Sequence, residues 1–391
     1  MGSILFLLAS RGAAQKPADL TAILTQIEGQ VTLSAESRAE FRPVSRAAQR
    51  QILRRGEVVH VPTGAQATLI CSAERLVSLT GPRDWVLDAT ACGRGLPLPE
   101  GSYRNLASYA GRILARNGAL LLELETRNVE AGLGPILLSP RDTAVMDAHP
   151  RLVWTRVPDA VEYEIKLRGP VGTSIRLAAA GLDCGPGSGP WHGLEVCSWA
   201  SSGKWPALEP EKPVFLEFGS RQALTAPLRQ VREVYEIHLL PASEQSRVRE
   251  SLSQIAALSM DKASRLLLAA GVYAQSGLYA DAIATYDEAL QVQEMPEARV
   301  TLGDLYLTAG LTAFADREYR QVLTGAPDSA ARAAAELGLG YVSCFRKLFS
   351  DARAHFERSR ELYARLGLQV EAEDAGAAAA RLQASGGNGS P

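Results

Sequence analysis

Charge of one sign is what this sequence most plainly lacks. Its 391 residues carry 41 Lys and Arg against 43 Asp and Glu, a formal net charge of -2 that is spread along the chain. Proteins that hold DNA or RNA gather Lys and Arg on one face to neutralise phosphates, so no nucleic-acid partner is expected. Long apolar runs are missing as well. Past the first residues nothing approaches the roughly 18 uninterrupted apolar residues of a membrane-spanning helix, so the mature chain is expected to be soluble with no integral span. Metal-ligand patterns are also lacking: His60, His149, His192, His238 and His355 are scattered, and none stands in a recognisable metal motif. The Gly-rich stretch 181–193 has no closing Lys-Ser/Thr and no following helix, so it reads as a turn rather than a phosphate cradle. Ser202-Gly203-Lys204 runs into Trp205-Pro206 and fails the same test. With no Gly-x-Ser-x-Gly elbow and no nucleophilic-cysteine context, neither a cofactor nor a catalytic role is expected.

What is present is a globular composition, 46% hydrophobic and 21% charged. The length suits two to four domains of roughly 100 to 200 residues. The cysteines fall as Cys71 with Cys92, Cys184 with Cys197, and Cys344 alone. Each pair lies inside one β-rich segment and would close as a disulfide if its strands are adjacent, which requires an oxidising compartment. Buried free thiols in a cytosolic protein are the alternative. Cys344, after Tyr341 in a helical segment, reads as a small core residue. Residues 1–15 hold an apolar run, Ile4 to Ala9, then Gly12, Ala13 and Ala14, and resemble the end of a secretory signal peptide. The positive start of such a peptide is absent, so either translation begins upstream of Met1 or the segment is a frayed tail. Export to the periplasm or envelope is the expectation, with the cytoplasm as the outcome if the segment is not a signal.

From 20 to 134 the chain reads as an all-β module with a connection. Strands are expected at Ile23–Val31, Val58–Val61, Ala67–Cys71 and Leu76–Leu79, punctuated by Gly29, Gly56, Gly64 and Gly81. The order Ile27-Glu28-Gly29-Gln30-Val31, then Leu53 to Val58, then Pro62-Thr63-Gly64-Ala65-Gln66-Ala67 resembles the FecR-type domain of bacterial envelope regulators. That resemblance implies a periplasmic module linked to signal transfer, although the family's usual membrane helix and anti-sigma segment are absent. Arg38, Arg42, Arg46, Arg50 and Arg54 recur every four residues. On a helix they would make a cationic stripe, which Pro43 interrupts; on a hairpin they are a solvated edge.

Residues 135–241 form a second β module. Val161 to Arg168 alternates apolar and charged residues at a period of two, and Tyr235, Ile237 and Leu239 repeat the pattern. Trp154 ahead of Pro158-Asp159-Ala160 resembles the start of fibronectin type III or immunoglobulin-like sandwiches, in which a Trp packs between two sheets. Trp191, Trp199 and Trp205 cluster here, either as a stacking platform for a sugar or peptide or as ordinary core packing.

From Ala263 the period becomes helical and the chain matches itself at about 33 residues. Ala270, Tyr273, Gly277, Tyr279, Ala282, Tyr286, Ala289 and Leu290 fall at the spacings of the tetratricopeptide (TPR) signature. Leu302, Gly303, Tyr306, Gly310, Ala315, Tyr319, Leu323 and Pro327 repeat the frame, and Leu337, Gly338, Tyr341, Ala352 and Phe356 repeat it again after a two-residue expansion of the turn. Small residues at Gly303 and Gly338 let paired helices approach while rings fill the remaining space. The resemblance therefore implies three TPR repeats over 263–367, led by a helix at 242–262 and closed by a capping helix and flexible tail at 368–391. Carrying over the family's groove positions gives Leu267, Gly271 and Ala274, then Val300, Asp304 and Leu307, then Ala335, Leu339 and Val342. This groove lacks the Lys and Asn array that clamps a C-terminal carboxylate, so an amphipathic helix or peptide of another protein suits it better, unless the chain's own last helix fills it.

The expected fold is thus multidomain β plus α: an N-terminal FecR-like all-β module, a β-sandwich-like middle module and a C-terminal α-solenoid of TPR helix pairs. The expected function is a non-catalytic exported envelope scaffold that binds other proteins. The alternative is an envelope ligand- or glycan-sensing component acting through the FecR-like or Trp-rich β module.

Overall fold

The computed structural model describes residues 21–97 and 134–386, apart from short intervals at 29, 36–44, 47–51, 73–74, 169–172, 201–204, 211, 225–228 and 326–328. The leader pattern at 1–15, the connection over 98–133, Arg38, Arg42, Arg50, Ser202-Gly203-Lys204 and the tail from 387 lie outside the described residues. The chain divides into two compact units, Met1–Pro97 and Leu98–Pro391.

Among the described residues of the first unit, the regular structure is β apart from one short helix. One sheet has the order β4-β1-β6-β7-β9, from β1 (Thr21–Glu28), β4 (Ile52–Arg54), β6 (Gln66–Cys71), β7 (Arg75–Thr80) and β9 (Leu96–Pro97). The other has the order β3-β2-β5-β8, from β2 (Thr32–Ala35), β3 (Ser45–Arg46), β5 (Glu57–Val61) and β8 (Arg83–Val86). Arg46 and Arg54 sit on strands of different sheets, so the arginine ladder is not one helix. Leu33, Val59, Val61 and Trp85 point into a core with Ala22, Leu53 and Leu69, while their strand neighbours Ser34, His60 and Asp84 take the opposite face. Cys71 of β6 is bonded to Cys92 of α1 (Ala89–Gly93), and Asp88 caps that helix by accepting from the Ala91 N–H at 2.6 Å.

The second unit begins with two sheets. The four-stranded one runs β10-β12-β16-β15, built from β10 (Leu137–Ser139), β12 (Arg151–Thr155), β15 (Asp183–Pro186) and β16 (Glu195–Ala200). The five-stranded one runs β11-β18-β17-β13-β14, from β11 (Thr143–Val145), β13 (Glu162–Arg168), β14 (Thr173–Ala178), β17 (Val214–Arg221) and β18 (Arg229–Leu239), with β11 parallel to β18. Trp154 of β12 is fully buried between them, with ring centroids 5.5 Å from Tyr163 and 5.7 Å from Phe218 on the facing sheet. Cys184 and Cys197 are bonded across the directly paired strands β15 and β16. This bridge stays within one sheet, whereas the immunoglobulin pattern joins two.

Helices follow directly from β18: α2 (Ala242–Ala256), then the pairs α3 (Lys262–Gln275) with α4 (Tyr279–Val292), α5 (Pro296–Thr308) with α6 (Thr312–Gly325), and α7 (Ala330–Phe345) with α8 (Phe349–Arg365), and last α9 (Gln369–Gly386) against α8. The pairs approach closely because glycine stands where rings need room. A Cβ on Gly303 would lie 2.6 Å from the Tyr319 ring and one on Gly338 only 2.3 Å from it, so Tyr319 of α6 is wedged against α5 and α7 together. The turn inside each pair places one residue at positive φ: Gly277 (73°), Gly310 (71°) and Lys347 (58°). The two residues expected to lengthen the third turn instead lengthen α7, since the interval from the helix end to the positive-φ residue is the same in all three pairs.

Candidate protein-binding site

The nine positions carried over from the resemblance lie on the first helix of each pair, but they are packed rather than open. Leu267, Gly271, Val300, Asp304, Leu307, Ala335, Leu339 and Val342 are buried, and only Ala274 is partly exposed. In α5 every residue from Val300 to Leu307 is buried, and in α7 every residue from Ala333 to Ser343. A helix so enclosed has no free stripe to offer. Asp304 is the one acid in this set. It accepts from the Tyr319 hydroxyl at 2.6 Å, its other oxygen has no hydrogen-bond partner among the described residues, and burial pushes its carboxyl up to about 7.

The β layer covers part of this helical core. Leu137, Leu152, Trp154 and Cys197 face the sandwich interior, whereas Leu138, Val153, Val196 and Leu194 join the apolar cluster of the helices. The four-stranded sheet is therefore apolar on both faces. Trp191, in a 3-10 turn at Gly189–Trp191, carries the contact furthest: its ring lies 6.2 Å from Tyr306 and 5.5 Å, edge-on, from Phe314. Trp199 instead faces Trp205 at 6.0 Å, and Trp205 is 4% exposed in the sandwich core. The three tryptophans thus do not form one exposed platform.

Polar contacts fix the register of this seam at the turns of the first two helix pairs. The Thr143 hydroxyl donates to Gly277 O at 2.8 Å and accepts from the Tyr279 N–H at 2.8 Å, supplying the N-terminal cap that α4 lacks from its own Leu278. The backbone N–H of Ala144 adds a 3.0 Å bond to Gly277 O. Arg141 is 2% exposed; its guanidinium donates to Ala309 O at 2.5 Å, to Leu137 O at 3.2 Å and to Gly310 O at 3.5 Å. It also lies 4.7 Å from the centroid of the Tyr235 ring. A cation is favoured there because the last carbonyls of α5 carry the negative end of the helix dipole.

The third turn presents the same residue class uncovered. Leu278 and Leu311, which follow the positive-φ residue in the first two turns, are 0% and 5% exposed. Leu348, the equivalent residue, is 49% exposed and Phe349 beside it 53%. As at α4, the cap residue of α8, Leu348, makes no side-chain bond to the helix N-terminus.

The remaining candidates divide plainly. Cys71–Cys92 and Cys184–Cys197 are both disulfides, while Cys344 is free and half-buried, its thiol pushed up to about 11 by burial and so little reactive near neutrality. Among the described residues no group of His, Cys, Asp and Glu could hold a metal ion, and no helix is long and apolar enough to cross a membrane. One cluster escaped sequence reading. Ser34, His60 and Asp84 are 26 and 24 residues apart, yet they meet in a hydrogen-bonded row on β2, β5 and β8. Only strand register could have indicated it. No family model matches the chain, and no curated protein matches it either.

Proposed function

We propose that this chain is an exported protein-interaction scaffold whose helical part is a tetratricopeptide-type stack, joined to a fibronectin- or immunoglobulin-like β layer and preceded by a FecR-type module. Two disulfides suit an oxidising compartment, which favours export. The observation that carries the interaction reading is the turn edge. At two helix turns it already holds a protein segment, Leu138 to Ala144, and at the third it leaves Leu348 and Phe349 in water. The surface offered to a partner is accordingly this edge rather than the buried groove positions. Its partner would bring apolar side chains to Leu348 and Phe349 and an acceptor to the first N–H groups of α8, as Thr143 does at α4. Such a role needs no chemistry from the helices.

The test places a photo-crosslinking amino acid at Phe349 in the full chain, and a control at the comparably exposed Val292 of α4. A discrete adduct from Phe349 alone, abolished by Leu348→Ser, is the expected result. Equal adducts from both positions, or none from Phe349, would sink the reading. In the Trp-rich module the sensing alternative finds no exposed stacking platform, because Trp191 and Trp205 are both buried.

A further inference from the structure

From the geometry of the first unit we infer that Ser34 is an acyl-accepting nucleophile, activated by His60 and Asp84 toward small carboxylic esters. The Oγ of Ser34 lies 2.7 Å from Nε2 of His60, and Nδ1 of His60 lies 2.8 Å from Oδ1 of Asp84. A carboxylate beside Nδ1 holds the proton on that nitrogen, which leaves Nε2 as the acceptor for the serine proton. The order nucleophile, base, orienting carboxylate is the arrangement that activates a serine, and it is recognised by geometry rather than by position in the chain.

The sheet makes this arrangement rigid. His60 pairs directly with Asp84 across β5 and β8, and Ser34, opposite Val58 on β2, is its diagonal neighbour on the same face. Val59, Val61 and Trp85 anchor the other face in the core, so a register slip would expose them. The site is reachable, since the side chains of His60 and Asp84 are 32% and 72% exposed. Asp84 also forms part of the wall of an open cleft of about 520 Å³ with Arg83, Trp85, Arg94 and Leu96. The cleft opens at the Asp84 end of the row, two strands from Ser34, so it could hold only the far apolar or anionic end of an ester whose carbonyl reaches back over His60.

In the reaction Ser34 Oγ attacks the ester carbonyl carbon as its proton passes to His60 Nε2. The tetrahedral adduct collapses, the bond to the leaving oxygen breaks, and that oxygen takes the proton from His60. Water then attacks the acyl carbon as its proton passes to the same nitrogen, the bond to Ser34 Oγ breaks, Oγ takes that proton back, and the carboxylic acid leaves. The exposed carboxylate makes Asp84 a positioning residue of moderate effect.

The experiment treats the full chain with p-nitrophenyl acetate and, separately, with a phosphonyl fluoride probe, and locates adducts by peptide mass spectrometry. Labelling confined to Ser34 is expected, with acetylation slowed about 100-fold in His60→Gln, the lower end of what a general base contributes. Asp84→Asn should slow it less, and Asp84→Glu should recover part of the loss, which a merely structural carboxylate would not do. Circular dichroism and melting of each variant keep folding separate from chemistry. Adducts spread over many serines, or Ser34 labelling unchanged in a folded His60→Gln, would overturn the inference.

Discussion

Asp304→Asn isolates the only acid among the groove positions and should change how stability responds to pH. In the folded chain burial keeps Asp304 protonated up to about 7, whereas in the unfolded chain that desolvation penalty is absent and the group ionises near its ordinary value of 3.8. Between those values the folded state holds the extra proton, so wild-type stability falls as pH rises through the window and levels off above it. Linkage puts the loss at about 2.5 kcal/mol between about pH 5 and about pH 8. Asn has no proton to lose and can still accept from the Tyr319 hydroxyl. Its amide N–H₂ would sit where Oδ2 now lacks a partner, a cost independent of pH. The telling quantity is therefore the difference between variant and wild type at the two pH values, not either stability alone. Measured by thermal unfolding, that difference should move by roughly 5 to 10 °C in favour of Asn at the higher pH. An unchanging difference would mean that Asp304 is ionised in the fold, and the reasoning from burial would fail.

Gly338→Ala would drive a Cβ to 2.3 Å from the Tyr319 ring and should destabilise by about 2 kcal/mol, whereas Gly325→Ala, with nothing within 4 Å, should be near neutral; paired denaturant titrations decide. Arg141→Met keeps the apolar stem but leaves the end of α5 without its donors, and a loss of about 3 kcal/mol in the same titration is expected. Reducing Cys71–Cys92, which spans 21 residues, should lower the stability of the first unit by about 3 kcal/mol, seen as an earlier unfolding transition in calorimetry with reductant.

The helix pairs were legible because their signal is local and repeated: Gly303, Tyr306 and Gly310 recur with Gly338 and Tyr341 at a spacing that only a stack needs. The strands of both β segments were legible for the same reason, through alternation in Val58–Val61 and Val161–Arg168. What covers a surface was not legible. Periodicity assigned Val300 and Leu307 to the first helix of a pair but could not reveal that they would be enclosed. Arg141 and Thr143 were invisible because they bond to backbone groups at Ala309, Gly277 and Tyr279, and a backbone group leaves no complementary residue to find. The residues before Lys347 read equally as a longer turn or a longer helix, since length alone does not distinguish the two. The Ser34, His60 and Asp84 row depends on the register of three strands, and a slip of one residue would place them on opposite faces.

The sheet with two apolar faces bears on how this chain can be divided. The sequence changes character most sharply at Pro241, where strands give way to helices, and a cut there invites the hope of two independent pieces. Severed at that residue, the β piece would put Leu138 and Trp191 into water at about 2 kcal/mol each and the half-buried Val153 and Val196 at about 1 kcal/mol each, and the helices would lose their lid. Neither piece should persist alone. The strands and helices of this unit must therefore be inherited, expressed and altered together, as a single object whose most visible border is internal.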